Sequence, residues 1–186
     1  MAEGSLEEKL RRVRLLALDV DGVLTDGRVW LDEEGMEFKS FDTRDGLGLR
    51  LARSVGIEVA FLTARASGVV EARAEELGIT ELYQGLTGDK AECLRELAAR
   101  QGLELAEVAY MGDDLLDLTA LRTAGVALAV ADAVEEVKAV ADYVTRRPGG
   151  RGAVREAVEV ILRAQGLYKQ AVQVVVGESV GREAST

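Results

Sequence analysis

An apolar run of strand length, Leu15-Leu16-Ala17-Leu18, stops at Asp19-Val20-Asp21-Gly22, and that junction constrains this chain more than any other stretch of it. A run without polar alternation suits a strand buried on both faces, the habit of a parallel sheet. In extended chain, positions 19 and 21 point to the same face. Two carboxylates aimed together off a buried strand repel each other, so folding gains nothing from them. A site for a hard cation, or for a nucleophile beside an acid, gains a great deal. A solvated acidic turn would carry the same letters, so the remainder of the chain must decide.

Composition narrows the chemistry. The chain of 186 residues suits one domain with a full-sized core, and its 48% hydrophobic and 30% charged residues describe an ordinary globule. Histidine is absent and Cys93 is the single cysteine. That excludes imidazole catalysis, His-ligated zinc, thiolate zinc clusters and a disulfide framework. The chemistry must run on carboxylates, Lys, Arg, Ser, Thr and Tyr. A net charge of −10 argues against nucleic acid as a partner. No apolar run approaches the ~20 residues of a membrane span, and Met1-Ala2-Glu3-Gly4 lacks a signal-peptide core, so a cytoplasmic protein is expected.

In chain order, residues 1–12 form a polar lead-in. Asp32-Glu33-Glu34-Gly35 separates two short alternating runs within about 27–41, which reads as a β-hairpin. It carries the only Trp and two of the three Phe. That load either folds onto the chain's own domain or packs against another subunit. Asp45 is expected to cap a helix ending near Val55. Strand 57–62 ends at Thr63, a helix covers 68–77, and a short strand lies near Leu82-Tyr83. Asp89 caps a helix over 90–101, and strand 108–111 ends at Gly112-Asp113-Asp114. A helix at 115–124, a strand at 126–130, a helix near 133–140 and a strand at 143–144 follow. An amphipathic helix over 153–165 completes a single domain of residues 1–166, and 167–186 reads as a loose tail. Alternating strands and helices imply an α/β fold with a parallel sheet covered on both faces.

Such sheets bind ligands at the carboxyl ends of their strands. There the chain presents Asp19 and Asp21, Thr63, and Asp113-Asp114, with Lys90 opening the helix on the same rim and Asp117 one turn beyond. Singly, each has an ordinary reading as a cap or a solvated charge. Together, the acids at 19, 21 and 113 need a cation among them. Phosphoryl transfer through an aspartyl phosphate uses this inventory: a carboxylate nucleophile, Mg²⁺, a hydroxyl and an ammonium on the phosphate, and a second acid for the leaving oxygen.

Asp19-Val20-Asp21-Gly22-Val23-Leu24-Thr25, Leu62-Thr63, Lys90 and Gly112-Asp113-Asp114 with Leu116-Asp117 resemble, in order, the four motifs of the haloacid dehalogenase superfamily. Phe41-Asp42-Thr43-Arg44-Asp45-Gly46-Leu47-Gly48, Thr63-Ala64-Arg65, Tyr83-Gln84-Gly85 and Gly149-Gly150-Arg151-Gly152-Ala153-Val154-Arg155-Glu156 are similar to its 3-deoxy-D-manno-octulosonate 8-phosphate phosphatases. The resemblance implies a Rossmann-like, capless member with a hairpin in place of a cap domain, assembled as a homotetramer through that hairpin. It implies Asp19 as nucleophile and Asp21 as acid/base. Asp19, the backbone carbonyl of Asp21, and Asp113 would hold Mg²⁺, with Asp114 and Asp117 in support. Thr63 and Lys90 would bind phosphate, and Arg65, Arg73 and Thr25 the phosphorylated sugar acid. The resemblance also implies, through Arg65, the eight-carbon acid over nine-carbon relatives such as N-acylneuraminate 9-phosphate. A phosphoacceptor signalling domain also combines acids, threonine and lysine, but there the lysine comes last, whereas Lys90 precedes Asp113.

Overall fold

In a computed structural model that describes residues 4–87 and 89–183, six strands form one parallel sheet. They are β1 (Leu15–Leu18), β4 (Glu58–Leu62), β5 (Glu81–Tyr83), β6 (Val108–Gly112), β7 (Val126–Ala129) and β8 (Tyr143–Val144), in the order β5-β4-β1-β6-β7-β8. All four residues of β1 are fully buried, as expected of an unbroken apolar run in a central parallel strand. Its register sets Leu18 beside Phe61 of β4 and Met111 of β6. The three strands therefore end level, and Asp19, Thr63 and Asp113 emerge along one edge.

The strand order reverses at β1. Right-handed crossovers then send α2 (Thr43–Arg53) and α3 (Gly68–Glu76) to one face, and α4 (Lys90–Arg100), α5 (Leu118–Thr123) and α6 (Glu135–Lys138) to the other. α7 (Ala153–Ala164) packs on α2, and α1 (Leu6–Arg12) on α7. Between β1 and α2 the chain forms only a two-stranded hairpin, β2 (Trp30–Leu31) with β3 (Glu37–Phe38), and no cap domain. Among the described residues no helix is long and apolar enough to cross a membrane.

Three expectations are corrected. The cap of α2 is Asp42, whose side chain accepts from the Arg44 amide at 2.7 Å. Asp45 is buried and serves α7 instead, accepting from the amides of Gly152 (3.1 Å) and Arg155 (2.7 Å). Gly152 begins α7 without a side chain to cap it, so the carboxylate arrives from across the interface. Residues 168–183 are not loose but form α8 (Tyr168–Glu183), with Ala171 and Val175 buried against the core. The first turn of the helix expected at 115–124 is a 3₁₀ turn over Leu115–Asp117.

The hairpin does not fold its apolar load onto its own domain. Trp30 is 59% and Phe38 56% exposed, and Leu31 and Met36 are equally open.

Candidate active site

Each strand end delivers its side chain into a cleft of about 270 Å³, lined by Asp19, Asp21, Thr63, Arg65, Lys90, Asp113, Asp114 and Asp117 among others. Eight of the ten residues read from the sequence as site residues thus converge. The turn after β1 is tightened by Gly22, whose φ is +96°. A side chain there would strike the Asp113 carboxylate, so the glycine lets two strand-end loops approach. The loop Pro148-Gly149-Gly150 closes on the same turn from behind. The Gly150 amide donates to the Val23 carbonyl at 2.9 Å, and a Cβ on Gly149 would collide with the Gly22 carbonyl.

Lys90 is buried in the cleft floor. Its ammonium donates to Asp19 Oδ1 at 2.8 Å and Asp117 Oδ1 at 2.7 Å. Burial works against its charge, but Asp19 and Asp117 outweigh this and hold its pKa above the ordinary lysine value. Asp117 is saturated. Oδ1 also accepts from the Tyr110 hydroxyl at 2.7 Å, while Oδ2 accepts the amides of Asp113 (2.9 Å) and Asp114 (3.2 Å). Tyr110 was not legible as a site residue, because in the sequence it is one more apolar position of a buried strand.

Burial, and then the neighbouring Asp117 carboxylate, raise the Asp19 carboxyl from 3.8 to about 6. Burial, then Asp19 and Asp117, raise Asp113 from 3.8 to about 8. Such shifts mark a cluster short of positive charge. One oxygen each from Asp19, Asp113 and Asp117 lie within 4.8 Å of one another. With both Asp117 oxygens committed to donors, Asp19 and Asp113 are the carboxylates able to ligate. Asp113 Oδ1 and Asp21 Oδ2 are buried without hydrogen-bond partners. Oxygen donors of this kind fit a hard divalent cation.

Thr63 is buried at the β4 end, its hydroxyl accepting the Arg65 amide at 3.2 Å. Asp114 caps the 3₁₀ turn through the Leu115 amide at 2.7 Å while still lining the cleft. Arg65 stands half-exposed at the mouth, 3.4 Å from Glu37 of the hairpin. Two expected substrate contacts lie elsewhere. Thr25 is fully buried and ties its own turn together, accepting the Gly27 amide at 3.2 Å. Arg73 packs over the Phe41 ring and pairs with Glu76 at 2.7 Å, outside this chain's cleft. Lys39 of the hairpin was missed; its ammonium pairs with Asp21. The alternation of Glu37 and Lys39 with Met36 and Phe38 was the available signal.

Comparison with known proteins agrees with this geometry. Residues 85–156 match the haloacid dehalogenase-like hydrolase family. The chain is 46% identical over 163 residues to the 3-deoxy-D-manno-octulosonate 8-phosphate phosphatase of Escherichia coli K12, covering 88% of this chain and 86% of the relative. It belongs to the haloacid dehalogenase-like hydrolases. The Moraxella catarrhalis 3-deoxy-D-manno-octulosonate 8-phosphate phosphatase, crystallised with magnesium, phosphate and KDO, superposes at a TM-score of 0.87. The two are 43% identical, over 91% of this chain and 97% of that one. The cobalt-bound Haemophilus influenzae phosphatase superposes at 0.84, with 38% identity over 89% of this chain and 99% of that one. Among the described residues, the hairpin is the one insertion between β1 and α2, where no cap domain stands.

Proposed function

We propose that this protein is a Mg²⁺-dependent phosphomonoesterase that hydrolyses 3-deoxy-D-manno-octulosonate 8-phosphate to KDO and phosphate. The observation that carries the reading is the cleft itself: Asp19 held by a buried lysine, beside an Asp113 oxygen that has no partner. Likeness over most of the chain to phosphatases named for that substrate supports the choice of ester.

Asp19 is the nucleophile. Its oxygen bonds to phosphorus as the bond from phosphorus to the sugar oxygen breaks. The electron pair stays on that oxygen, which takes a proton from the Asp21 carboxyl. Asp21, now a carboxylate, accepts a proton from water as the water oxygen attacks phosphorus. The bond to Asp19 then breaks and its pair returns to the carboxylate. Lys90 and Thr63 hold phosphate oxygens, and Asp117, assisted by Tyr110, holds Lys90. Asp19, Asp113 and the Asp21 carbonyl would hold Mg²⁺, which offsets repulsion between the carboxylate and the phosphate when bound. Arg65 at the mouth suits the substrate carboxylate.

The exposed Trp30, Leu31, Met36 and Phe38 of the hairpin support assembly into a homotetramer through that element, since apolar side chains gathered on one excursion favour a partner over water. The cytoplasm remains the expected compartment.

The test is phosphate release with Mg²⁺ from the octulosonate 8-phosphate, a nonulosonate 9-phosphate and a generic ester, alongside Asp19→Asn. Preference for the octulosonate with an inactive variant is expected. Preference for the nonulosonate would overturn the substrate, and an active Asp19→Asn would overturn the mechanism.

A further inference from the structure

The hairpin turns a lysine inward. Along Met36-Glu37-Phe38-Lys39 alternate side chains take opposite faces. Phe38 is open to solvent, whereas the Lys39 side chain is completely covered. The Lys39 ammonium pairs with Asp21 Oδ1 and lies 3.3 Å from Glu37 Oε1, and Glu37 faces Arg65. Asp21 stands in the turn beyond β1, and its Oδ2 has no hydrogen-bond partner. Among the described residues, Lys39 is the hydrogen-bonding anchor of the Asp21 carboxyl.

Resting on the reaction above, we infer that Lys39 is a positioning residue: it holds the Asp21 carboxyl in the rotamer that faces the sugar oxygen leaving phosphorus. The carboxyl turns about two side-chain bonds, and proton transfer needs its oxygen within hydrogen-bond reach of the leaving atom. Asp21 lines the cleft, and with Oδ1 clamped by the cation Oδ2 is the oxygen left without a partner. The clamp is itself fixed, since Glu37 shares the ammonium and the hairpin backbone carries both. A buried lysine between two carboxylates is costly when either partner is lost, which ties the hairpin's seating to the acid it serves. The hairpin thereby has two faces, an apolar one outward and one that carries Glu37 and Lys39 toward the reacting groups.

A merely structural lysine would weaken turnover of every ester alike. In the first half-reaction, which kcat/KM reports, a lysine that aims the acid matters only where the leaving oxygen needs a proton. The experiment measures kcat/KM of the full chain with Mg²⁺ on the octulosonate 8-phosphate and on p-nitrophenyl phosphate, whose phenolate departs unprotonated. Lys39→Met, Lys39→Arg and Asp21→Asn are compared with the parent, and each is checked for folding by thermal unfolding. General acid catalysis contributes about 10²–10⁴-fold, so Lys39→Met is expected to lose roughly 10–100-fold on the sugar ester and under about 3-fold on the aryl ester. Lys39→Arg, which keeps the cation, is expected to lose less than Lys39→Met on the sugar ester. Equal losses on both esters, or no loss on either, would overturn the positioning role while leaving the phosphatase reading standing. An Asp21→Asn variant that fails to discriminate between the esters would instead overturn the acid/base role of Asp21, and this inference with it.

Discussion

Removing Mg²⁺ makes the stability of this protein fall as pH rises from about 5 to about 8, against the direction expected of most carboxylates. Asp19 titrates near 3.8 when unfolded and near 6 when folded, and Asp113 near 3.8 and near 8. The folded state therefore binds more protons than the unfolded state across this interval, and the linkage slope is negative. The contribution is fully present below about pH 4 and is lost as pH passes each folded value. At 1.36 kcal/mol for each pKa unit, Asp19 alone costs the metal-free fold about 3 kcal/mol once ionised. Asp113 acts in the same direction, but the carboxylates share one field and their costs do not simply add. Carboxylates held low by their partners, such as Asp42 beside Arg44 and Glu159 beside Arg155, are already ionised at pH 5 and do not mask the trend. For a chain of this length about 3 kcal/mol corresponds to roughly 6–12 °C in Tm.

The assay is thermal unfolding followed by circular dichroism in chelator, repeated with saturating Mg²⁺. The metal should raise Tm most at the alkaline end, where no proton need be displaced from its ligands. A metal-free Tm that is flat or rises between pH 5 and 8 would refute the reasoning. So would an equal gain from Mg²⁺ at both ends.

Asp117→Asn removes the buried anion that Lys90, Tyr110 and two backbone amides share; a loss of about 3–5 kcal/mol is expected from breaking such a pair, read as a lowered Tm with activity lost. Asp45→Ala leaves the amides of Gly152 and Arg155 unpaired, costing about 1–3 kcal/mol by denaturant unfolding, whereas the cap reading drawn from the sequence would put the damage in α2; hydrogen exchange should find it at the start of α7. Replacing both Trp30 and Phe38 with serine should reduce the mass seen by sedimentation equilibrium while circular dichroism shows the chain still folded, since neither side chain is buried in its own chain; an unchanged mass would refute assembly through the hairpin.

Much of the site was legible because its residues sit at one structural address repeated along the chain. Asp19, Thr63 and Asp113 each end an apolar run, and parallel pairing brings such ends level. Lys90 follows a recognisable Asp89 cap, which accepts the Ala91 amide at 2.9 Å. Periodicity and caps are local, so the α/β class, the order of elements and the cleft could be read without coordinates. What escaped was non-local. Asp45 has the sequence context of a cap for its own helix, yet it is buried where α7 begins, some hundred residues on. The resemblance implies a substrate contact at Thr25, but its hydroxyl closes the turn it stands in. α8 is rich in β-branched valine and holds Gly177, both weak helix formers, so its seat on α2 and α7 is what orders it. The pattern of letters determined which groups meet at the edge of the sheet, because strand ends and helix starts are set by near neighbours. Tertiary structure alone decided which oxygens remain free there, because a carboxylate's partners, Tyr110 and Lys90 for Asp117 and Lys39 for Asp21, arrive from other elements.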